Sequence, residues 1–277
     1  MMVLPPWHAH VDVWAILGSV VAGYLIACRR HDARTGQPTP ARAKHLFLGG
    51  MAILWLASDW PIHDLAERYL FSMHMVQHML MTLIAAPLLV AGIPAWMWRD
   101  VLRPAPIRAV WRFLTRPVVA LILFNGVLLF MHWPAVVELA VTSELAHFGL
   151  HVLAVFSALV MWWPIVSPLP EMPPLNPPAQ MMYLFLQSLT PTIPASFLTF
   201  GHSMLYPVYA TFPRIWGIGP LTDQLISGLI MKLVGSAILW VVIGCVFFRW
   251  ANREQQQDWD ELRWRDVDAE LRAGASR

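Results

Sequence analysis

Seven runs of about twenty mainly apolar residues constrain this chain more than any other feature, because each is long enough to cross a bilayer as a helix. They lie at roughly 11–28, 44–60, 72–97, 117–134, 145–167, 179–201 and 222–249. In hydrocarbon the backbone must satisfy its own N–H and C=O groups, and a helix does so within one segment. The expected fold class is therefore all-α, a polytopic membrane protein of seven transmembrane helices. Only 13% of residues are charged, 57% are hydrophobic, and mean hydropathy is +0.54; soluble domains carry about 25% charged residues. Residues 1–250 read as a single bundle, and 251–277 as a cytoplasmic tail, amphipathic or disordered, with Trp259 and Trp264 as interface anchors. The first residues, Met-Met-Val-Leu-Pro-Pro-Trp-His, lack the basic stretch of a cleaved signal, so the first run reads as a span. Pro191 and Pro194 interrupt the sixth run and predict a kink or an unwound turn there.

The arginines orient these spans. Loop 29–43 carries Arg29, Arg30, Arg34 and Arg42, loop 98–116 carries Arg99, Arg103, Arg108, Arg112 and Arg116, and six more follow residue 248. The intervening loops have almost none, Arg68 and Arg214 excepted. Basic loops stay in the cytoplasm, which predicts the N-terminus out and the C-terminus in. The net charge of +2 marks no nucleic-acid partner, since the arginines read as topology signals. Cys28 and Cys245 form no metal-binding or disulfide pattern and read as small apolar core residues.

Topology sorts the histidines unevenly. His8, His10, His63, His74, His78, His132, His147, His151 and His202 fall toward the outer face, and only His31 and His45 fall inside. His74 and His78 stand four apart at the start of the third span, as do His147 and His151 in the fifth. Four residues place two side chains on one helix face a turn apart. His78 lies about 9 Å past Ser72 at 1.5 Å per residue, and His147 and His151 reach a similar depth. Ionisable groups inside hydrocarbon are costly and usually functional, and neutral imidazole binds copper, zinc or iron. Met73, Met75, Met79, Met81 and Met131 surround the pairs; thioethers select Cu(I), although Met is also the ordinary filler of helix interfaces. A lone membrane histidine can equally serve as a hydrogen-bond partner to a carbonyl. His63, His8, His10 and His202 read as solvated loop residues, with a role as entry ligands left open to each. Glu138 and Glu144 read as loop charge, with a role as acceptors behind an imidazole left open.

Lys232 sits about 15 Å into the last span. Seven spans with such a lysine is the layout of a retinal protein, but the third span carries no Asp or Glu as counter-ion, and Asp59 and Asp223 are peripheral. Lys232 is expected to pack within the bundle, against carbonyls or the broken sixth helix.

The run from Leu70 through Ser72-Met73-His74-Met75-Val76-Gln77-His78-Met79, continuing to Ala86-Pro87 and Gly92-Ile93-Pro94, resembles the CtaG family of multi-span cytochrome c oxidase assembly factors. Further matches follow in order: His132-Trp133-Pro134, His147 and His151 leading into Trp162-Trp163-Pro164, Tyr206-Pro207-Val208-Tyr209, and Asp223-Gln224 with Gly228. The resemblance implies a non-enzymatic factor of the bacterial inner membrane. It would deliver copper to the catalytic subunit of a haem–copper oxidase from the outer side, having received it from a copper donor protein. It implies ligands at His74, His78, His147 and His151, with His132 as a further candidate; Met75 and Met79 are added from the residues themselves. Lys232 stands where the family is commonly aromatic, and His63 where it more often lacks histidine. Two alternatives stand beside this one: a haem b-binding electron-transfer protein, and a copper transporter whose broken sixth helix marks the path.

Overall fold

A computed structural model describes residues 4–275 of the chain, and the side chains of residues 4–256. Among these residues all regular structure is helical. The order is α1 (Val11–Thr35), α2 (Ala41–Ser58), α3 (Ile62–Arg68), α4 (Phe71–Gly92), α5 (Ala95–Val101), α6 (Ala105–Leu114), α7 (Pro117–Met131), α8 (Pro134–Thr142), α9 (Glu144–Val166), α10 (Pro177–Leu189), α11 (Thr192–Phe200) and α12, from Pro220 through Ala275. Helices α1, α4, α9 and the Pro220–Gln256 portion of α12 are long and apolar enough to cross a membrane, and α6 with α7, bent by 77°, makes a fifth if counted together. Large apolar side chains face outward along them, Ile122 at 63%, Val241 at 66% and Phe248 at 66% exposure. Area of that kind is sustained by lipid. The chain is a membrane protein.

Side-chain contacts sort the connections to two ends. At one end the N-terminal segment, α3, the start of α4, α8 and the 201–219 connection meet: Trp60 Nε1 donates to the Pro5 carbonyl at 3.1 Å and Tyr206 OH to the His132 carbonyl at 2.8 Å. At the other end His31 stacks on Trp96 with ring centroids 4.0 Å apart, and Arg99 pairs with Glu171 at 2.7 Å. The arginine-rich segments thus gather opposite the histidine-bearing ones.

Several boundaries differ from those read in the sequence. The third run stops at Gly92, because Ile93 precedes Pro94 and takes an extended conformation (φ −80°, ψ 117°). The 98–116 segment is not a plain loop but completes α5 and forms α6, whose Ile107, Val110 and Phe113 are exposed on one face. The first helix runs on to Thr35 and stops where Gly36 turns left-handed (φ 69°) to donate to the Asp32 carbonyl. The sixth run is broken at Pro191, between α10 and α11, as its prolines predict. The last helix continues into the tail, and the side chains of Trp259 and Trp264 lie outside the described residues. Cys28 is a core residue, but Cys245 is exposed on α12, since that face of the helix packs against no other.

Two contacts bring backbones together. A Cβ on Gly92 would strike the backbone of Phe47 in α2, and one on Gly228 would strike Thr199 Oγ1 and lie 2.8 Å from the Ala195 carbonyl in α11. Helices α4 and α12 each widen into one π turn, at Leu80–Ala85 and Ile230–Val234. The first lies just beyond His78 and just before Pro87, which has no N–H to offer the preceding turn. Trp162 Nε1 from α9 donates to the Thr82 carbonyl at 2.9 Å and supplies the missing partner.

Candidate metal centre

The centre is built on the first turn of α4. Leu70 at its N-cap offers no side-chain acceptor. The cap comes instead from α12: the Asp223 carboxylate accepts from Phe71 N at 2.7 Å and Ser72 N at 3.0 Å. Asp223 stands in the first turn of α12, at the mouth of the span as expected, yet is only 2% exposed; a carboxylate is favoured where free N–H groups and the helix dipole converge. One turn on, His74 and His78 stack along α4 with their Nε2 atoms 2.9 Å apart. Helix α9 presents the second pair, its start capped by Ser143, which accepts from Ala146 N.

The ligand atoms of His74, His78 and His151 lie within 4.8 Å of one another. An ion with bonds of about 2.0 Å holds its ligand atoms within about 4 Å of each other, so closure needs adjustments of under about an ångström. His147 lies one turn nearer the end of the bundle, where α3 packs, and there its Nε2 stands 3.0 Å from Glu67 Oε1. The four imidazoles, whose convergence on one ion the sequence leaves open, divide into three and one, although all remain in contact: His147 and His151 centroids are 4.2 Å apart, His74 and His147 5.9 Å.

His132 closes the set from the end of α7. Its Nδ1 donates to the Leu128 carbonyl at 2.7 Å, which leaves Nε2 as the atom with the lone pair. The Nε2 atoms of His132 and His151 are buried without a hydrogen-bond partner, a condition that costs about 1–3 kcal/mol per atom and that a cation relieves. Both line, with His74, His78 and His147, a cavity of about 230 Å³. Met75 and Met131 face the same cavity. Met79 lines a smaller adjoining space of about 60 Å³ together with Met131, Met161 and Met231. The residues present fit a copper ion, imidazole first and thioether beside it.

Two further groups went unrecognised in the sequence. His63 is not a solvated loop residue; it sits on α3 at 15% side-chain exposure, with Nε2 3.3 Å from Glu67 Oε1. Burial pushes the Glu67 carboxyl up to about 7 and the His63 imidazole down to about 4, the latter helped by His10 and His147. His8 and His10 gather with Asp64. The signal was present, since His63 and Glu67 repeat the four-residue spacing of the two histidine pairs. Nothing local marks Gln77, which is fully buried and ties α4 to α2 through the Ala57 carbonyl at 2.8 Å. His202, Glu138 and Glu144 are exposed, and only Glu144 of these reaches the cavity rim. Lys232 stands half-buried on the π turn of α12.

The family model described as cytochrome c oxidase caa3 assembly factor matches residues 22–253, most of the chain and every helix of the centre. The chain belongs to that family. It is thus an assembly factor of cytochrome c oxidase by family, and the ordered motifs on α4, at the end of α7, on α9 and around Tyr209 supply residues that line the cavity. Comparison with the curated proteins and with the solved structures finds no match.

Proposed function

We propose that this assembly factor handles copper, holding it at His74, His78 and His151 with His147 and His132 beside them, and releasing it to an apo-oxidase subunit docked in the membrane. The observation that carries this reading is the convergence of five imidazoles on one buried cavity, three of them (His132, His147 and His151) with unpartnered Nε2 atoms. Copper is the cargo and Cu(I) its form, because Met75 and Met131 border the same space. Met79 contributes from the adjoining one. Transfer is ligand exchange between imidazoles, and no bond-making chemistry is asked of the protein, so it acts as a metallochaperone rather than an enzyme.

The reading extends to topology. Counting α2, α7 and the α10–α11 pair with the four long helices, the chain makes seven crossings of the bacterial inner membrane, N-terminus out and C-terminus in. The gathering of arginine-rich segments at the end opposite the histidines supports that orientation, in which the centre would lie toward the outer side, where a copper donor protein and the oxidase subunits would meet it.

Copper is preferred to haem b because the imidazoles touch ring to ring at 4.2–6.0 Å and occupy the space a macrocycle would need. The test is metal analysis with an optical spectrum of the purified protein. We expect bound copper in the wild type, its loss in the His78→Ala/His151→Ala double variant with the fold retained, and no Soret band. Copper surviving that double replacement would remove the site, and split α/β bands on reduction would replace copper with haem. Uptake of radioactive copper into vesicles would convert the chaperone into a transporter.

A further inference from the structure

Between the buried centre and the surface stand the two other groups of ligand-type side chains. The outer one joins His8 and His10, which precede α1, to Asp64 of α3, with all three ligand atoms within 4.8 Å of one another. His8 is exposed, whereas the Asp64 side chain is only 3% exposed and its Oδ2 lies 3.2 Å from His10 Nε2. Arg68 stands 4.0 Å from the other oxygen, Oδ1, with its own side chain 57% exposed, so Oδ2 is left to the imidazoles. The inner group is His63, Glu67 and His147. Ring centroids step inward from His8 to His10 at 5.2 Å, to His63 at 4.8 Å, to His147 at 5.9 Å and to His151 at 4.2 Å. The rings thus form an unbroken line from the surface to the centre, with His63 standing between the outer group and His147.

Gln77 assigns the roles within the inner group. The Ala57 carbonyl can only accept, so the side of the Gln77 amide that faces it is the NH₂. The same nitrogen lies 3.0 Å from His63 Nδ1 and donates there. His63 in its neutral form then carries its proton on Nε2, 3.3 Å from Glu67 Oε1, and has no lone pair left for an ion. His63 is thus a positioning residue beside the carboxylate, and Glu67 and His147 supply the ligand atoms. The Glu67–His147 separation of 3.0 Å does not meet hydrogen-bond geometry, His147 Nε2 being otherwise buried without a partner, and it matches two ligands facing one ion.

We propose that copper reaches the buried imidazoles through two outer positions in series: a surface position formed by His8, His10 and Asp64, and an intermediate one formed by Glu67 and His147. The proposal rests on the reading of His74, His78 and His151 as the holding site. Carboxylate oxygen is a weak ligand for Cu(I), and imidazole and thioether hold it more tightly, so affinity rises inward from the mixed outer positions. Glu67 is the only carboxylate in the inner group and the hinge of the path.

The test is stopped-flow loading of the full chain in detergent from a coloured Cu(I)–bicinchoninate complex, with X-ray absorption reporting the final coordination. The Glu67→Gln variant keeps the side chain's shape, and its melting temperature checks the fold. Glu67→Gln and the His8→Ala/His10→Ala double variant are each expected to slow loading by about tenfold, with the occupancy and coordination of the holding site unchanged. Wild-type loading rates in both variants overturn the path while leaving the holding site intact, provided His78→Ala/His151→Ala abolishes binding. Loss of the holding-site copper in Glu67→Gln also overturns the series, by making Glu67 a ligand of the inner ion. A wild-type chain that binds no more copper than His78→Ala/His151→Ala overturns the holding site and the path together.

Discussion

The behaviour of single residues here follows from what each donor or acceptor has left over. Asp223 satisfies two amides of a helix that has no cap of its own, 2.7 and 3.0 Å away and out of water. Asp223→Ala should therefore lower stability by about 1–2 kcal/mol, seen as a fall in melting temperature, with Asn recovering part of it because one amide oxygen still accepts. Copper affinity should fall with it, since the cap sets where His74 begins its turn. A wild-type melting temperature in Asp223→Ala would show that the cap is idle. His132 acts differently. Its Nδ1 is committed to Leu128, so Nε2 is the atom that can reach an ion, and His132→Gln should weaken copper binding without moving the melting temperature. Equilibrium competition with a Cu(I) chelator separates these two effects.

At the scale of elements, the site-bearing helix is distorted where it passes the centre, and the distortion is held from outside. The Thr82 carbonyl at the π turn accepts from Trp162 Nε1, 1% exposed on α9, and Thr82 Oγ1 in turn donates to the His78 carbonyl at 2.7 Å. Trp162→Phe keeps the ring and removes the donor, and should cost about 1–3 kcal/mol for the buried acceptor it strands; thermal denaturation of the variant gives the number. Helix α12 closes on α11 only because Gly228 lacks a side chain. Gly228→Ala forces backbone apart and should cost about 1–3 kcal/mol, whereas Gly126→Ala, whose Cβ meets open space, should be tolerated. Equal effects of the two glycine variants would mean that the close approach carries no weight.

At the scale of the whole molecule, the two ends differ in chemistry, and each can be addressed. With Cys28 and Cys245 replaced by Ser, a cysteine at Ser143 should react with a membrane-impermeant thiol reagent added outside intact cells, and one at Arg103 only after the membrane is opened. The reverse pattern would invert the orientation and place the centre on the cytoplasmic side.

Sequence by itself determined the all-helical membrane class, most of the helices and the two histidine pairs that meet at the centre. Hydrocarbon tolerates little but self-satisfied backbone, and a four-residue spacing is a statement about one helix face. The His74–His78 and His147–His151 pairs were legible for that reason, as was their common end of the bundle. What tertiary structure decided is which of these groups stand together. Docking of α3 against α9 drew His147 toward Glu67 and raised His63 from a loop residue to a buried one, and no local pattern states how two helices will be shifted along each other. Asp223 and Gln77 belong to the same class. Each acts across a separation of 20 to 152 residues in the chain, and a hydrogen bond at that range exists only once the helices have packed.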